Sequence, residues 1–270
     1  MTELKFLIVG CLHGKKPRIS TKAIDAIIAP GDFCYAEIRK YIFKSMRQEL
    51  KGKKAKEWWQ LAGGKKKASS LLKKSFKRGR KVLEYLNSFG VPVIVVPGNW
   101  DFAEKDPLSP GLSWKKLKKG LTRIIDCHEK LKDFGSYSVI GHGITSGPEF
   151  QGRKRLFNKQ FKKMGNLFLK ARKPTIFLTH NVPYNTKLDF ITDKKSPRYG
   201  VHFGSTLARV LAKKFKPIVC IGAHMHEHFT QDKIGKTTCI NSGYGPKCNV
   251  ILKIEGNKIS KLKFMPKRYG

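Results

Sequence analysis

Ile221-Gly222-Ala223-His224-Met225-His226-Glu227 sets two imidazoles two residues apart in a glycine-containing turn. The apolar run Pro217-Ile218-Val219-Cys220-Ile221 precedes it and reads as a buried strand, with Cys220 as a small hydrophobe. Alternate side chains of an extended segment fall on one face, so His224 and His226 can point the same way. A histidine pair at a strand end is the start of a metal site, though weak evidence alone. Four other apolar runs end in the same kind of residue. Leu4 to Val9 runs into Gly10-Cys11-Leu12-His13-Gly14, and Ala26 to Ala29 runs into Pro30-Gly31-Asp32. Val93 to Val96 runs into Pro97-Gly98-Asn99-Trp100-Asp101, and Thr175 to Leu178 runs into Thr179-His180-Asn181. Open α/β sheets hold their ligands at the carboxyl ends of strands. A capping Asp, a turn Asn or a satisfied core His explains any one of these ends and explains five in register poorly.

The order of the motifs resembles that of the calcineurin-like metallophosphoesterases. Their pattern is Asp-x-His, Gly-Asp, Gly-Asn-His-Asp or Glu, a strand ending in His, and then Gly-His-x-His. The resemblance spans Phe6 to about Gly243. It implies a site of two divalent metal ions (Mn, Fe or Zn) and a bridging hydroxide that attacks phosphorus in line. Carried over residue by residue, Asp32 bridges both ions. Asn99, His180 and His224 complete one position, with Asn99 also catalytic. His13 and His226 belong to the other.

Two departures limit that expectation. Cys11 stands where the family has Asp. Either it is a soft ligand suited to Zn or Fe, or the His13/His226 position is weak and fills only at high metal. Trp100 stands where the family has the histidine that sits over the phosphate and helps the leaving group depart. Indole has no proton to give near neutral pH. The sequence therefore predicts a preference for leaving groups that need none, such as aryl or phosphoanhydride oxygens. His142 and His202 are candidates for a substitute acid, and a bland place in loop packing explains each equally well. Asp101 then bonds the indole N–H or a backbone amide.

Composition bounds the rest. The 270 residues, 40% hydrophobic, suffice for a full core, and no apolar run is long enough to span a membrane. The start, Met1-Thr2-Glu3-Leu4, goes straight into a strand without a signal peptide, so the expected location is cytoplasmic. The six cysteines show no Cys-x-x-Cys and are expected as free thiols. Lys+Arg number 56 against 19 Asp+Glu, a net charge of +37. Such an excess attracts polyanions, or it reflects lysine spread over every solvated face.

The expected architecture is α/β: a four-layer α-β-β-α sandwich, two mixed β-sheets flanked by helices. One metallophosphoesterase domain covers residues 1–270, with a basic helical insert at about 35–90. Only about ten residues separate Gly14 from Ala23, so the family's first helix is reduced to a loop or a turn. Tyr35, Ile38, Ile42, Met46 and Leu50 mark one helical face. Gly63-Gly64 breaks the insert, and Ser69 or Ser70 is expected to cap a helix carrying Leu71, Leu72, Phe76, Val82, Leu83 and Leu86. Trp58-Trp59 either packs against a helix joint or stacks on bases. Residues 153–172 read as a basic amphipathic helix, and Ser205 caps the helix through Leu211. Three strands close the chain, with Gly256-Asn257 turning the last hairpin.

Three functions compete on this evidence. One is a metal-dependent phosphoesterase, a phosphodiesterase on a phosphorylated small molecule, nucleotide or nucleic acid. The second is a degenerate relative serving as a scaffold. The third is a nucleic-acid-binding module that uses the basic surface.

Overall fold

The computed structural model describes residues 3–17, 19, 23–102 and 107–266. Its strands are β1 (Leu4–Val9), β2 (Ala26–Ala29), β3 (Val93–Val95), β4 (Ile124–Asp126), β5 (Leu131–Phe134), β6 (Tyr137–His142), β7 (Thr175–Asn181), β8 (Val219–Ala223), β9 (Thr230–Ile234), β10 (Thr237–Asn241), β11 (Cys248–Glu255) and β12 (Lys258–Pro266). Its helices are α1 (Arg39–Leu50), α2 (Trp58–Leu61), α3 (Lys65–Asn87), α4 (Trp114–Leu117), α5 (Lys154–Lys170) and α6 (Thr206–Phe215).

One sheet has the order β12-β11-β1-β2-β3-β4 and the other β5-β6-β7-β8-β10-β9. In the first, β1 to β4 are parallel, and β11 and β12 join antiparallel. In the second, β6, β7, β8 and β10 are parallel between antiparallel edges. Both sheets are therefore mixed.

The alternation within β1 explains the layering. Phe6 and Ile8 face Val139, Ile176 and Ile221 in the apolar layer between the sheets. Leu7 and Val9 turn the other way, onto Leu72, Val82, Leu83 and Leu86 of α3. On the far side, Phe177 and Cys220 meet Met164 and Phe168 of α5 and Leu207 and Leu211 of α6. Strands that are apolar on both faces must be covered on both. The result is an α-β-β-α stack, as the motif order predicts.

Several local expectations change. α3 begins at Lys65 directly after Gly64, whose φ of 99° breaks the chain, so Ser69 and Ser70 lie inside the helix instead of capping it. Trp58 packs against the cluster beneath α3, while Trp59 carries the Lys65 ammonium 5.4 Å over its ring. Ser205 does cap α6, accepting the Ala208 N–H at 2.9 Å. Between Gly14 and β2 the described residues hold no helix, and residues 18 and 20–22 lie outside them. Met1 and Thr2 also lie outside the described residues. No described helix is long and apolar enough to cross a membrane.

Candidate metal centre

Strands of both sheets end at one place. His13 follows β1, Asp32 follows β2, Asn99 follows β3 and His224 follows β8. His180 differs from its expected place beyond the strand. β7 continues to Asn181, and its register with β8 shifts between Leu178 and Asn181, so His180 sits on the irregularity. Three of these residues hold left-handed backbone: His13 at φ 45°, Asp32 at 59° and His224 at 70°. Each costs about 1–2 kcal/mol in a residue with a Cβ, the kind of strain that collects at functional sites. Because His224 is left-handed, the His224-Met225-His226 stretch is not extended. Its two imidazoles serve different neighbours. Gly98 permits the close approach: a Cβ there would lie 2.2 Å from Asp32 Oδ1 and 2.6 Å from His180 Cε1.

The side chains form two joined groups. His180 Nε2 lies 3.0 Å from Asn99 Oδ1, 3.2 Å from His224 Nδ1 and 3.4 Å from Asp32 Oδ2. His13 Nε2 lies 3.1 Å from His226 Nε2 and 3.6 Å from Asp32 Oδ2. Asp32 thus stands between the groups. Cys11 reaches both: its sulfur clusters with His13 and His226, and also with Asp32 and His180. That is wider than the single position expected from sequence. The Cys11 thiol also accepts the His224 N–H at 3.2 Å.

The donor set fits divalent cations. His180 Nδ1 donates to the Pro30 carbonyl at 2.7 Å, which leaves the Nε2 lone pair facing Asn99, His224 and Asp32. Several lone pairs therefore converge with few protons among them. Burial lowers the pKa of His13 and, more strongly, His224, and neighbouring imidazoles add to the effect. Burial and then His13 push His226 down to about 3. For Asp32, burial alone would raise the pKa, but the surrounding imidazoles, His180 first, hold it low. His180 responds inversely: burial opposes its charge, and Asp32 outweighs that and raises its pKa. His13, His224 and His226, with protonation disfavoured, beside a carboxylate held ionised suit a cation. Burial and the Asp32 charge raise Cys11 well above the usual thiol range.

Asp101 ties the loops together. Its two oxygens accept the N–H groups of Asp32, Phe33, Cys34 and Gly98 at 2.8 to 2.9 Å. Burial and the Asp32 charge push its pKa up to about 6. Trp100 donates its backbone N–H to Asp32 Oδ1 at 2.9 Å. Its ring stands edge-on to His13, with centroids 6.4 Å apart.

A cleft of about 540 Å³ opens over the centre, lined by His13, Asp32, Asn99, Trp100, His224 and His226. His142 and His202 are not among its lining residues. His142 lines a second pocket, with Nε2 3.8 Å from Glu149 Oε1. His202 Nδ1 bonds Asp189 Oδ1 at 2.8 Å. Residues that sequence reasoning passed over lie at the cleft instead. Arg39 and Phe43 of α1 and Arg198 of the loop between β7 and α6 line it, beside Met46, which the sequence marks only as part of a helical face. Tyr244 flanks His226, with ring centroids 5.2 Å apart. Tyr244 was findable, since it directly follows Gly243, where the family resemblance ends. The arginines were hidden among 56 basic residues.

Comparison with known proteins finds relatives in sequence and in fold. The chain is 26% identical over 175 residues to an uncharacterised protein of Methanocaldococcus jannaschii, covering 62% of this chain and 71% of the relative. A solved dimetal phosphatase from Danio rerio shares the fold with a TM-score of 0.50 at 8% identity, over 97% of this chain and 98% of that one. A Staphylococcus aureus protein assigned as a 5′-nucleotidase, solved with α-ketoglutarate, aligns with a TM-score of 0.53 at 11% identity. That alignment spans 100% of this chain and 55% of the larger one. The sequence model of the calcineurin-like phosphoesterases matches residues 4–228. With that match over most of its length, the chain belongs to the calcineurin-like phosphoesterase family.

Proposed function

We propose that this chain is a metal-dependent phosphoesterase that hydrolyses phosphodiesters or phosphoanhydrides, with nucleotides or nucleic acid as the substrate class. The observation that supports this most is the convergence of His180, Asn99 and His224 on one side of Asp32 and of His13 and His226 on the other. Asp32 would bridge two cations of the Mn, Fe or Zn type. Asn99, His180 and His224 would hold one, and His13 and His226 the other, with Cys11 within reach of both. When bound, such a pair supplies the Lewis acidity that activates water toward phosphorus and neutralises the phosphoryl oxygens.

The protein's own groups define the rest of the chemistry. The Pro30 carbonyl fixes the His180 tautomer. Asp101 holds the loops after β2 and β3 in one arrangement, so Asp32 and Asn99 keep a fixed separation. Asn99 lines the cleft, where its amide can also touch the phosphoryl group. Trp100 lines the cleft but offers no titratable proton. The preferred leaving group is therefore one that departs as a stable anion.

Hydrolysis of bis-p-nitrophenyl phosphate with added Mn, Zn or Fe tests the proposal, because its aryl leaving group needs no acid. Turnover should require metal, stop on chelation and fall by roughly 10²-fold or more in Asn99→Ala. A folded protein that turns over nothing with any of these metals would remove the enzymatic reading and favour a scaffold.

A further inference from the structure

The wall of the cleft away from the metal-ligand cluster comes from two segments outside the strand-end motifs. One is α1, which contributes Arg39, Ile42, Phe43 and Met46. The other is the region from Ile191 to Phe203, which contributes Arg198. The segments are tied together, since the Arg47 guanidinium donates to the Lys195 carbonyl at 2.9 Å. No residue of α1 is fully buried, and Phe43 and Met46 belong to none of the three apolar clusters of the described fold. An apolar helix face unspent on the core and turned to a cleft is a binding wall.

Two guanidiniums stand on that wall. Arg39 lies 4.7 Å over the Phe43 ring and Arg198 lies 4.3 Å over the Phe203 ring. Among the described residues neither makes a side-chain hydrogen bond or an ion pair. Asp193 and Glu227 line the same cleft, but Asp193 spends an oxygen on the Lys195 N–H at 2.9 Å, and neither carboxylate pairs with either arginine. Stacking on a ring fixes the guanidinium plane and leaves its N–H groups free for an anion. The Arg39 charge also reaches His13 and His226, where it disfavours protonation.

We propose that Arg39 and Arg198 form a second phosphate subsite beside the metal centre, and that the substrate is a phosphoanhydride whose leaving phosphate bears an aromatic or apolar group lodged against Ile42, Phe43 and Met46. This rests on reading the centre as a phosphoesterase. The chemistry balances without an acid. Water oxygen forms the new bond to one phosphorus, and the bond from that phosphorus to the anhydride oxygen breaks. The electron pair leaves on the second phosphate, a stable anion near neutral pH, and the proton of the attacking water passes to solvent. The two guanidiniums neutralise the departing phosphate in bidentate fashion. They thereby supply electrostatically what Trp100 cannot supply as an acid.

Two measurements test the subsite. In the first, AMP and adenosine are titrated calorimetrically into the metal-chelated protein. Wild type should bind AMP, whose phosphate carries the nucleoside, more tightly than adenosine. Arg39→Gln and Arg198→Gln should each cut that preference by roughly 10-fold, as expected for a charge-assisted contact. In the second, kcat/KM for diadenosine diphosphate is divided by kcat/KM for bis-p-nitrophenyl phosphate in the metal-loaded enzyme. That ratio should fall by roughly 10-fold or more in either variant, and Arg→Lys should recover only part of it. Unaltered thermal unfolding of the variants establishes that they fold. Equal binding of AMP and adenosine by wild type, or a preference that survives both substitutions, overturns the subsite. Failure of every substrate with every metal sinks the phosphoesterase reading instead, and the binding titration still decides the subsite.

Discussion

Trp100 places an indole beside a cluster of metal-compatible groups, edge-on to His13 and without a titratable proton. Trp100→His should restore general-acid help and raise turnover of alkyl phosphate esters relative to aryl ones, by up to roughly 10²-fold. Competition assays between the two ester types check this, and an unchanged ratio would show that leaving-group protonation is not what position 100 controls. Gly98 makes a second residue-scale prediction. Gly98→Ala sets a methyl against Asp32 Oδ1, the Asp32 backbone N and His180 Cε1, so metal affinity should fall by at least roughly 10-fold. Calorimetric metal titration of the variant reads the loss. At this scale the cluster was legible in the sequence, because cations take few residue types and open sheets present them just past strand ends. The left-handed backbone at His13, Asp32 and His224 was not, since non-glycine residues adopt it only when their surroundings hold them there. The fourfold use of Asp101 by backbone N–H groups was equally hidden, because it depends on how two loops from different strands meet.

Elements with a strong apolar period were readable, and weakly patterned ones were not. β1, β2, β3, β7 and β8 are runs buried on both faces, and α3, α5 and α6 carry clear apolar stripes. β5 (Leu-Lys-Asp-Phe) and β9 (Thr-Gln-Asp-Lys-Ile) are short edge strands dotted with charges, the composition edges use to discourage further pairing. Their places follow from neighbours in the sheet and not from their own residues. β4 ends in Asp126, whose carboxylate accepts the His128 N–H at 3.0 Å and lies 3.1 Å from Lys130 and 3.4 Å from Lys118. Burial opposes its ionisation, but these partners outweigh burial and hold its pKa below the ordinary value. A carboxyl that titrates lower in the folded state contributes stability above its unfolded pKa and loses it as pH falls through the folded one. Asp126→Asn should therefore unfold more easily than wild type near neutral pH, by about 1–3 kcal/mol. The gap should close as pH drops below about 4. Urea unfolding across that range measures it, and a gap that persists undiminished would mean the charge contributes nothing.

For the whole molecule, two sheets packed face to face bring the ends of β1, β2 and β3 against those of β7 and β8, so a centre is built from both halves of the chain. The order of strands and helices made this stacking legible. The roof over the cleft was not, since the Arg47–Lys195 tie joins segments 148 residues apart. Under the proposed function, the excess of 37 basic residues would concentrate phosphate-bearing ligands near a cleft lined by Arg39 and Arg198. In the proposed centre seven residues would hold two cations, with Asp32 between them. Metal stoichiometry of the purified chain, titrated with Mn or Zn after chelation, checks this, with His180→Ala and His226→Ala beside wild type. Two ions should bind per wild-type chain, and each variant should lose one and retain the other. A wild type that binds no ion, or variants that bind as wild type does, would contradict it.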